Sequence, residues 1–207
     1  MRLFSDKKIL IASHNEGKIS EIKELLYKFD IQTTCSKDYN LPEPIEDGNT
    51  FEENAYIKAR SASELTDMVA LSDDSGLEVE ALNNQPGIYS ARWAGEDKDF
   101  DSAMLKINNM LEKNKAASRK ARFVCALCLY WPDGIFEYFV GKVEGTIVWP
   151  PRGEYGFGYD SIFLPDGLDK TFGEISSSEK HSWSPDKPGL SHRARAFSKF
   201  VNIFNKI

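Results

Sequence analysis

The apolar positions along this chain change their period several times, and each change marks an element. "KILIA" (8–12) is a short apolar run of the kind that forms a buried strand. "SHNEGK" (13–18) breaks the run. Ile22, Leu25, Leu26 and Phe29 then recur at i, i+3, i+4 and i+7, which is one face of a helix. A Pro-, Gly- and Asp-rich loop, "LPEPIEDGN", follows. Thr50-x-x-Glu53 has the form of a capping box and predicts a second helix running to about Asp67. "MVALS" (68–72) predicts a short strand that stops at Asp73, and "GLEVEAL" (76–82) alternates like a further strand. "QPGIYSARWAG" is rich in turn residues, and a third helix is expected from about Asp99 to Lys113. "ARFVCALCLYW" and "IFEYFVGKVEGTIV", separated by "PDG", predict a long hairpin. "PRGEYGFGYD" reads as a glycine-rich loop and "SIFLP" as a short strand. The last helix is expected to start near Ser191, with Phe197, Phe200, Val201 and Phe204 on one face.

Helices alternate with strands early and a long hairpin comes late. That order predicts an α/β fold with a mixed β-sheet flanked by helices. With 207 residues, no internal repeat and no obvious linker, a single domain is expected. No apolar run approaches the roughly 20 residues of a membrane helix, and "MRLFSDKKILIAS" reads as a first strand with no signal-peptide cleavage pattern. A cytoplasmic protein with no membrane partner is therefore expected. Three cysteines make a disulfide framework unlikely. Cys125 and Cys128 lie three apart on a strand, so they point to opposite faces and read as core residues. The net charge of −6 disfavours a general nucleic-acid binder, which usually carries a basic face. A small anionic substrate would instead need local lysines, arginines or a metal ion.

Five places carry candidate chemistry. In "SHNEGK" a buried strand ends and a helix begins, so free N–H groups and the helix dipole suit a phosphate. Lys18 adds a charge, and Ser13 and Asn15 add polar groups; the same residues also read as a plain helix cap. Asn54 and Lys58, four apart, share a helix face, while Glu53 is accounted for by the capping box. Asp73 and Asp74 end an apolar run, where loops at the ends of α/β strands gather ligands. A carboxylate pair there attracts Mg²⁺, and one carboxylate can act as a base toward water; Asp-Ser-Gly is also ordinary turn composition. Glu46, in the preceding loop, is either a metal ligand or a solvated charge. In "GEYGFGYD", Phe157 suits stacking on a planar ring and Asp160 suits accepting from ring N–H groups; the alternative is a loop whose aromatics cover the core. In "LSHRARAF", His192 and Arg193 fall in a first helical turn, where cations oppose the dipole unless an anion binds. His181 is assigned no role.

Taken together and in order, "SHNEGK", "FEENAYIKA", "DDSGLEV", "PGIYSARWAG", "GFGYD" and "SHRARAF" resemble the inosine triphosphate pyrophosphatase family, in its bacterial RdgB-like form. The resemblance runs from about Ile9 to Phe197. It implies an elongated mixed sheet with two lobes around a central nucleotide-binding cleft, usually in a homodimer. It implies Mg²⁺-dependent hydrolysis of deaminated purine nucleoside triphosphates (ITP, dITP, XTP) to the monophosphate and pyrophosphate. Carried onto this chain, Ser13, His14, Asn15, Glu16, Gly17 and Lys18 would bind the triphosphate, with Lys58 helping. Asp74 would be general base and metal ligand, with Glu46 the second ligand. Ser75 would contact the substrate. Phe157, Gly158, Tyr159, Asp160, Lys180, His192 and Arg193 would surround the base and nucleotide. Asp73 would support the metal's water shell or the turn. Two departures stand out. His14 sits where the family usually has a small residue, and would crowd or contact the phosphates. "HSWSPDK" (181–187) leaves both Lys180 and Lys187 as candidates, with the upstream context favouring Lys180. A nucleotide sensor without turnover is the rival reading of the same cleft; the carboxylates Asp73, Asp74 and Glu46 argue against it.

Overall fold

The computed structural model describes residues 2–4, 6–113, 118–181, 183, 184, 187 and 189–204. β1 (Lys8–Ala12) leads into α1 (Glu16–Leu26), where the Asn15 side chain caps the helix by accepting from the Lys18 N–H at 3.2 Å. Phe29 falls in a 3₁₀ turn beyond the helix end. β2 (Gln32–Cys35) is an edge strand that the apolar pattern does not flag, because only Thr34 and Cys35 are buried. α2 (Phe51–Thr66) starts at Thr50, whose hydroxyl accepts from the Glu53 N–H at 3.1 Å. The Glu53 carboxylate reaches one residue past the usual capping-box partner, to the Asn49 N–H at 2.6 Å. Asp67, with φ 53, ends the helix.

β3 (Ala70–Val79) corrects the expectation of two strands meeting at the aspartates. It pairs without a break against β5 (Lys120–Tyr130), from Ala70 opposite Tyr130 to Val79 opposite Ala121. Asp73 and Asp74 lie in mid-strand, on opposite faces. Like charge therefore does not end the strand, since each carboxylate meets its own set of cations.

β4 (Gln85–Pro86), α3 (Ser90–Trp93) and α4 (Phe100–Lys113) follow β3. β5 and β6 (Phe136–Ile147) form the expected hairpin, and β7 (Phe163–Pro165), α5 (Ser177–His181) and α6 (His192–Phe200) complete the chain. The sheet order is β2-β1-β3-β5-β6-β7, with β4 paired to β3. β2, β1 and β3 run parallel, and the remaining pairs are antiparallel.

The core has two main bodies. In one, Ile9, Ile22, Leu26, Leu127, Phe197 and Phe200 join β1, α1, β5 and α6. In the other, Leu77, Ile107, Phe123, Val143, Phe163 and Phe172 join α4 to the far half of the sheet. α2 covers the opposite face with Phe51, Ala55 and Ala59 against Val124, Ala126 and Cys128. Cys125 belongs to the first body and Cys128 lies under α2, so the two thiols do point to opposite faces.

Two features place the cleft. β1 pairs with β3 only as far as Ser72, and β4 pairs only from Glu78. Residues 73–77 of β3 thus have no paired strand on that edge among the described residues, and a ligand there can meet side chains from both sheet faces. Second, α6 lies hard against β6 at Gly141. A Cβ there would come within 2.1 Å of the His192 carbonyl and 2.3 Å of the Ala196 N–H. Gly141→Ala must push the start of α6 outward, and we expect a loss of about 1–3 kcal/mol, read as a fall in the urea midpoint at unchanged m-value.

Candidate active site

A cleft of about 460 Å³ lies over the open edge of β3. Its walls are the N-terminus of α1, the 41–46 segment, α2, the Phe157–Asp160 loop and the start of α6.

On one face of β3, Asp73 is 1% exposed and meets two cations. Lys18 Nζ stands 2.6 Å from Oδ1, and Arg193 Nε donates to Oδ2 at 2.8 Å. The Ser75 hydroxyl donates to Oδ1 at 3.0 Å and the Cys125 thiol to Oδ2 at 3.0 Å. Burial alone would raise the Asp73 carboxyl; Arg193 and then Lys18 outweigh it and hold the group well below the usual carboxylate range. Arg193 is itself buried and turns its other edge to Glu21 of α1. Glu21 also meets His181 Nε2 at 3.2 Å, and His181 Nδ1 lies 2.9 Å from the Ser191 hydroxyl that caps α6. Burial opposes ionisation of Glu21, yet Arg193 and His181 bring its pKa down to about 2.

On the other face, Lys58 Nζ stands 2.9 Å from Asp74 Oδ1 and 3.0 Å from Glu46 Oε1. The Asn54 amide donates to Asp74 Oδ2 at 3.4 Å. Burial raises the Asp74 carboxyl above its ordinary value in spite of Lys58, and Glu46 adds to the rise. For Lys58, burial works against the charge, but Asp74 and Glu46 raise its pKa. The two carboxylates thus converge on one cationic point. Among the described residues, no group of three or more His, Cys, Asp and Glu side chains is placed to hold a metal ion alone. Two converging carboxylates are nonetheless the donor set of a Mg²⁺ ion that takes its other ligands from water and substrate phosphates.

At the far end, Asp160 Oδ2 pairs with Lys180 Nζ at 2.7 Å; Lys180 is buried and Asp160 is partly buried. Gly156, with φ +81, makes room for this pair: a Cβ there would lie 2.0 Å from Asp160 Oδ2 and 2.5 Å from Lys180 Nζ. Phe157 is 44% exposed, and its ring edge reaches Gly17 at the N-terminus of α1. The glycine-aromatic loop and the "SHNEGK" turn therefore meet. His192 stacks on Phe123 at 4.8 Å between ring centroids. Burial, then the neighbouring Arg193, lowers its pKa to about 3, so the ring is neutral, and Nδ1 is buried with no hydrogen-bond partner among the described residues.

Most residues singled out in the sequence line this one cleft: Ser13, His14, Asn15, Lys18, Glu46, Lys58, Asp74, Ser75, Phe157–Asp160, Lys180, His192 and Arg193. Glu16 does not. It turns outward to Lys37, because the outer side of α1 offers that partner. Gly17 contributes backbone beneath Phe157 and does not line the space. His14 makes contacts other than phosphate crowding: its ring is engaged by the Leu41 carbonyl and Glu43. Asp73 lies on the face away from Asp74, where it anchors Lys18 and Arg193. Lys187 bridges to Ser184 and lies outside the cleft, which leaves Lys180 as the lysine beside Asp160; the 181–187 insertion lies partly outside the described residues. Glu21 and His181 escape the sequence reading. Lys18 and Glu21 are i and i+3 on α1, which is the only local sign of the first, and His181 has none.

An α/β fold with an interrupted sheet edge, opposed carboxylates and lysines, and an aromatic loop defines a binder or hydrolase of phosphorylated small molecules. The chain belongs to the Ham1 family, whose profile matches residues 9–203. It is 54% identical to the dITP/XTP pyrophosphatase of Brucella melitensis and 55% identical to that of Mesorhizobium japonicum, over 97% of this chain and 94% of each relative. Among solved structures, a HAM1 protein from Coxiella burnetii superposes with a TM-score of 0.86 at 35% identity, covering 96% of this chain and 98% of that one. The Staphylococcus aureus Ham1 protein gives 0.81 at 39% identity, covering 95% and 98%.

The buried network sets a pH dependence. Between pH 6.5 and about 3 the unfolded chain takes up a proton at His192 that the native state refuses. Stability contributed by the neutral ring is thus lost as pH falls, by at most ~1.4 kcal/mol per pH unit. Glu21 acts with the same sign between its model-peptide value of 4.5 and about 2. His192→Gln should flatten the pH 6.5–3 slope of unfolding free energy relative to the parent chain. An unchanged slope would mean that the ring titrates normally.

Proposed function

We propose that this chain hydrolyses deaminated purine nucleoside triphosphates (ITP, dITP and XTP) to the monophosphate and pyrophosphate. The observation that carries the reading is the convergence of Lys58, Asp74 and Glu46 at the open edge of β3, in a cleft that Lys18 lines from the Asp73 face and that Asp160 and Phe157 line at the other end. The triphosphate would lie over Ser13–Lys18, where the N-terminus of α1 and Lys18 meet its charge. Water would attack the α-phosphorus in line, with pyrophosphate leaving. Asp74 is the group suited to take the proton from that water, since burial makes it more basic than an ordinary aspartate. Glu46 and Asp74 would hold Mg²⁺, which when bound supplies charge neutralisation on the phosphates. Lys58 on one face of β3 and Lys18 on the other supply fixed positive charge to the cleft, and such positioned charge is most of the catalysis in phosphoryl chemistry.

Recognition of the base follows from polarity. A 6-keto purine presents an N1–H donor and an O6 acceptor. Asp160 Oδ2 is occupied by Lys180 and the Phe157 N–H, while Oδ1 has no partner among the described residues and can accept from N1–H. Lys180 and the first turn of α6 supply donors for O6. Adenine presents the opposite pattern and would leave a buried carboxylate facing a lone pair, which is heavily penalised. Phe157 would stack on the ring. The homodimer implied by the resemblance and the cytoplasmic location expected from the absence of a signal-peptide pattern belong to the same proposal; no helix among the described residues is long and apolar enough to cross a membrane.

Asp74→Asn should lower pyrophosphate release from ITP by roughly 10²–10⁴-fold while nucleotide binding, followed by equilibrium dialysis, persists. A variant that still turns over at near-parent rate removes Asp74 from the mechanism. A parent chain that binds ITP without releasing pyrophosphate would instead identify a sensor.

A further inference from the structure

The 41–46 segment forms one wall of the cleft and carries Glu46, yet little of its own backbone holds it there. Among the described residues, residues 42–49 make no backbone–backbone hydrogen bond. Pro42 and Pro44 have no N–H to give, and each restricts the residue before it to extended geometry. Side chains from other elements supply the tethers. His14, at the end of β1, places Nε2 2.9 Å from the Leu41 carbonyl and Nδ1 3.5 Å from Glu43 Oε1. Arg92, on α3, donates from Nη2 to the Glu46 carbonyl at 2.8 Å, and its guanidinium lies 5.1 Å from the Tyr89 ring centroid. Lys58 then meets the Glu46 carboxylate itself. One tether therefore fixes the start of the segment, and another fixes the backbone of the residue whose carboxylate faces Asp74.

We propose that His14 and Arg92 are positioning residues that hold Glu46 opposite Asp74 and so set the affinity of the cleft for a divalent cation. The proposal rests on the reading of Glu46 and Asp74 as ligands of that cation. An extended, proline-stiffened segment moves as a unit, so releasing either tether shifts Glu46 rather than only the residue bonded. Outer partners that orient a metal's carboxylate commonly control affinity as strongly as some ligands do.

The test is Mn²⁺ binding to the nucleotide-free protein, read from the electron paramagnetic resonance signal of the free ion. Mn²⁺ is a hard cation that uses the same oxygen donors as Mg²⁺. His14→Ala and Arg92→Ala should each weaken binding by about tenfold. His14→Gln, which keeps an amide donor within reach of the Leu41 carbonyl, should restore most of it, and so should Arg92→Lys. In the background of Glu46→Gln, the same alanine substitutions should cause no further loss, an interaction that a general loss of stability would not produce. Three results bear on the proposal separately. If Glu46→Gln leaves Mn²⁺ binding unchanged, the ligand assignment fails and takes the proposal with it. If Glu46→Gln weakens binding but His14→Ala and Arg92→Ala do not, the ligand assignment stands and the positioning role is wrong. If the alanine variants weaken binding equally with and without Glu46, the tethers act on the fold in general and the proposal is overturned.

Discussion

Asp73 is a fully buried carboxylate, and the arrangement of the cleft depends on the two cations that make its burial tolerable. A lone carboxylate in such a place would be neutralised or would force the structure open. Lys18 and Arg193 prevent this, and in doing so they pin the N-termini of α1 and α6 to the middle of β3. Arg193 passes the constraint on to Glu21, Glu21 to His181, and His181 to the serine that caps α6. One buried charge thus ties together four stretches of chain around the cleft. Breaking a pair of this kind typically costs several kcal/mol, because the partner is left buried and charged.

The strand itself divides the labour. Successive side chains of β3 point to opposite faces, so Asp73 organises the framework and Asp74 faces Lys58 and Glu46. The gap between the end of β1 and the start of β4 lets a ligand reach both faces at one edge. A sheet paired continuously along that edge would hold the same residues and offer no place for a triphosphate. The glycines matter in the same way: Gly141 lets α6 approach β6, and Gly156 leaves room for the Asp160–Lys180 pair.

Much of the fold is legible in the sequence, since the apolar period identifies the buried faces of α1 and α6, the capping signal marks the start of α2, and α4 and the β5–β6 hairpin fall where the pattern predicts them. β2 is not legible: its run is short and mostly polar, and only Thr34 and Cys35 are buried. The break expected at Asp73 is a misreading with a physical cause. Two adjacent carboxylates look incompatible with a buried strand unless their partners are known, and Arg193 lies 120 residues away. The candidate site was legible as a set of local motifs, most of which converge. Glu16 shows the limit of treating a motif as a unit, since its helix faces the cleft at Lys18 and solvent at Glu16. Glu21 and His181 were hidden because their roles exist only through Arg193 and Ser191. The cations that hold Asp73 are hidden from the local sequence for the same reason.

At this interrupted sheet edge a 6-keto purine triphosphate is proposed to bind and to be cleaved between the α- and β-phosphates. The most direct measurement is a comparison of ITP, XTP, dITP and ATP at equal concentration, with Mg²⁺, scoring pyrophosphate and orthophosphate separately. Pyrophosphate is the expected product, with rates for ITP, XTP and dITP at least about a hundredfold above that for ATP, the scale of discrimination that unpaired buried polar groups impose. Orthophosphate as the main product, or ATP cleaved as fast as ITP, would contradict the proposal.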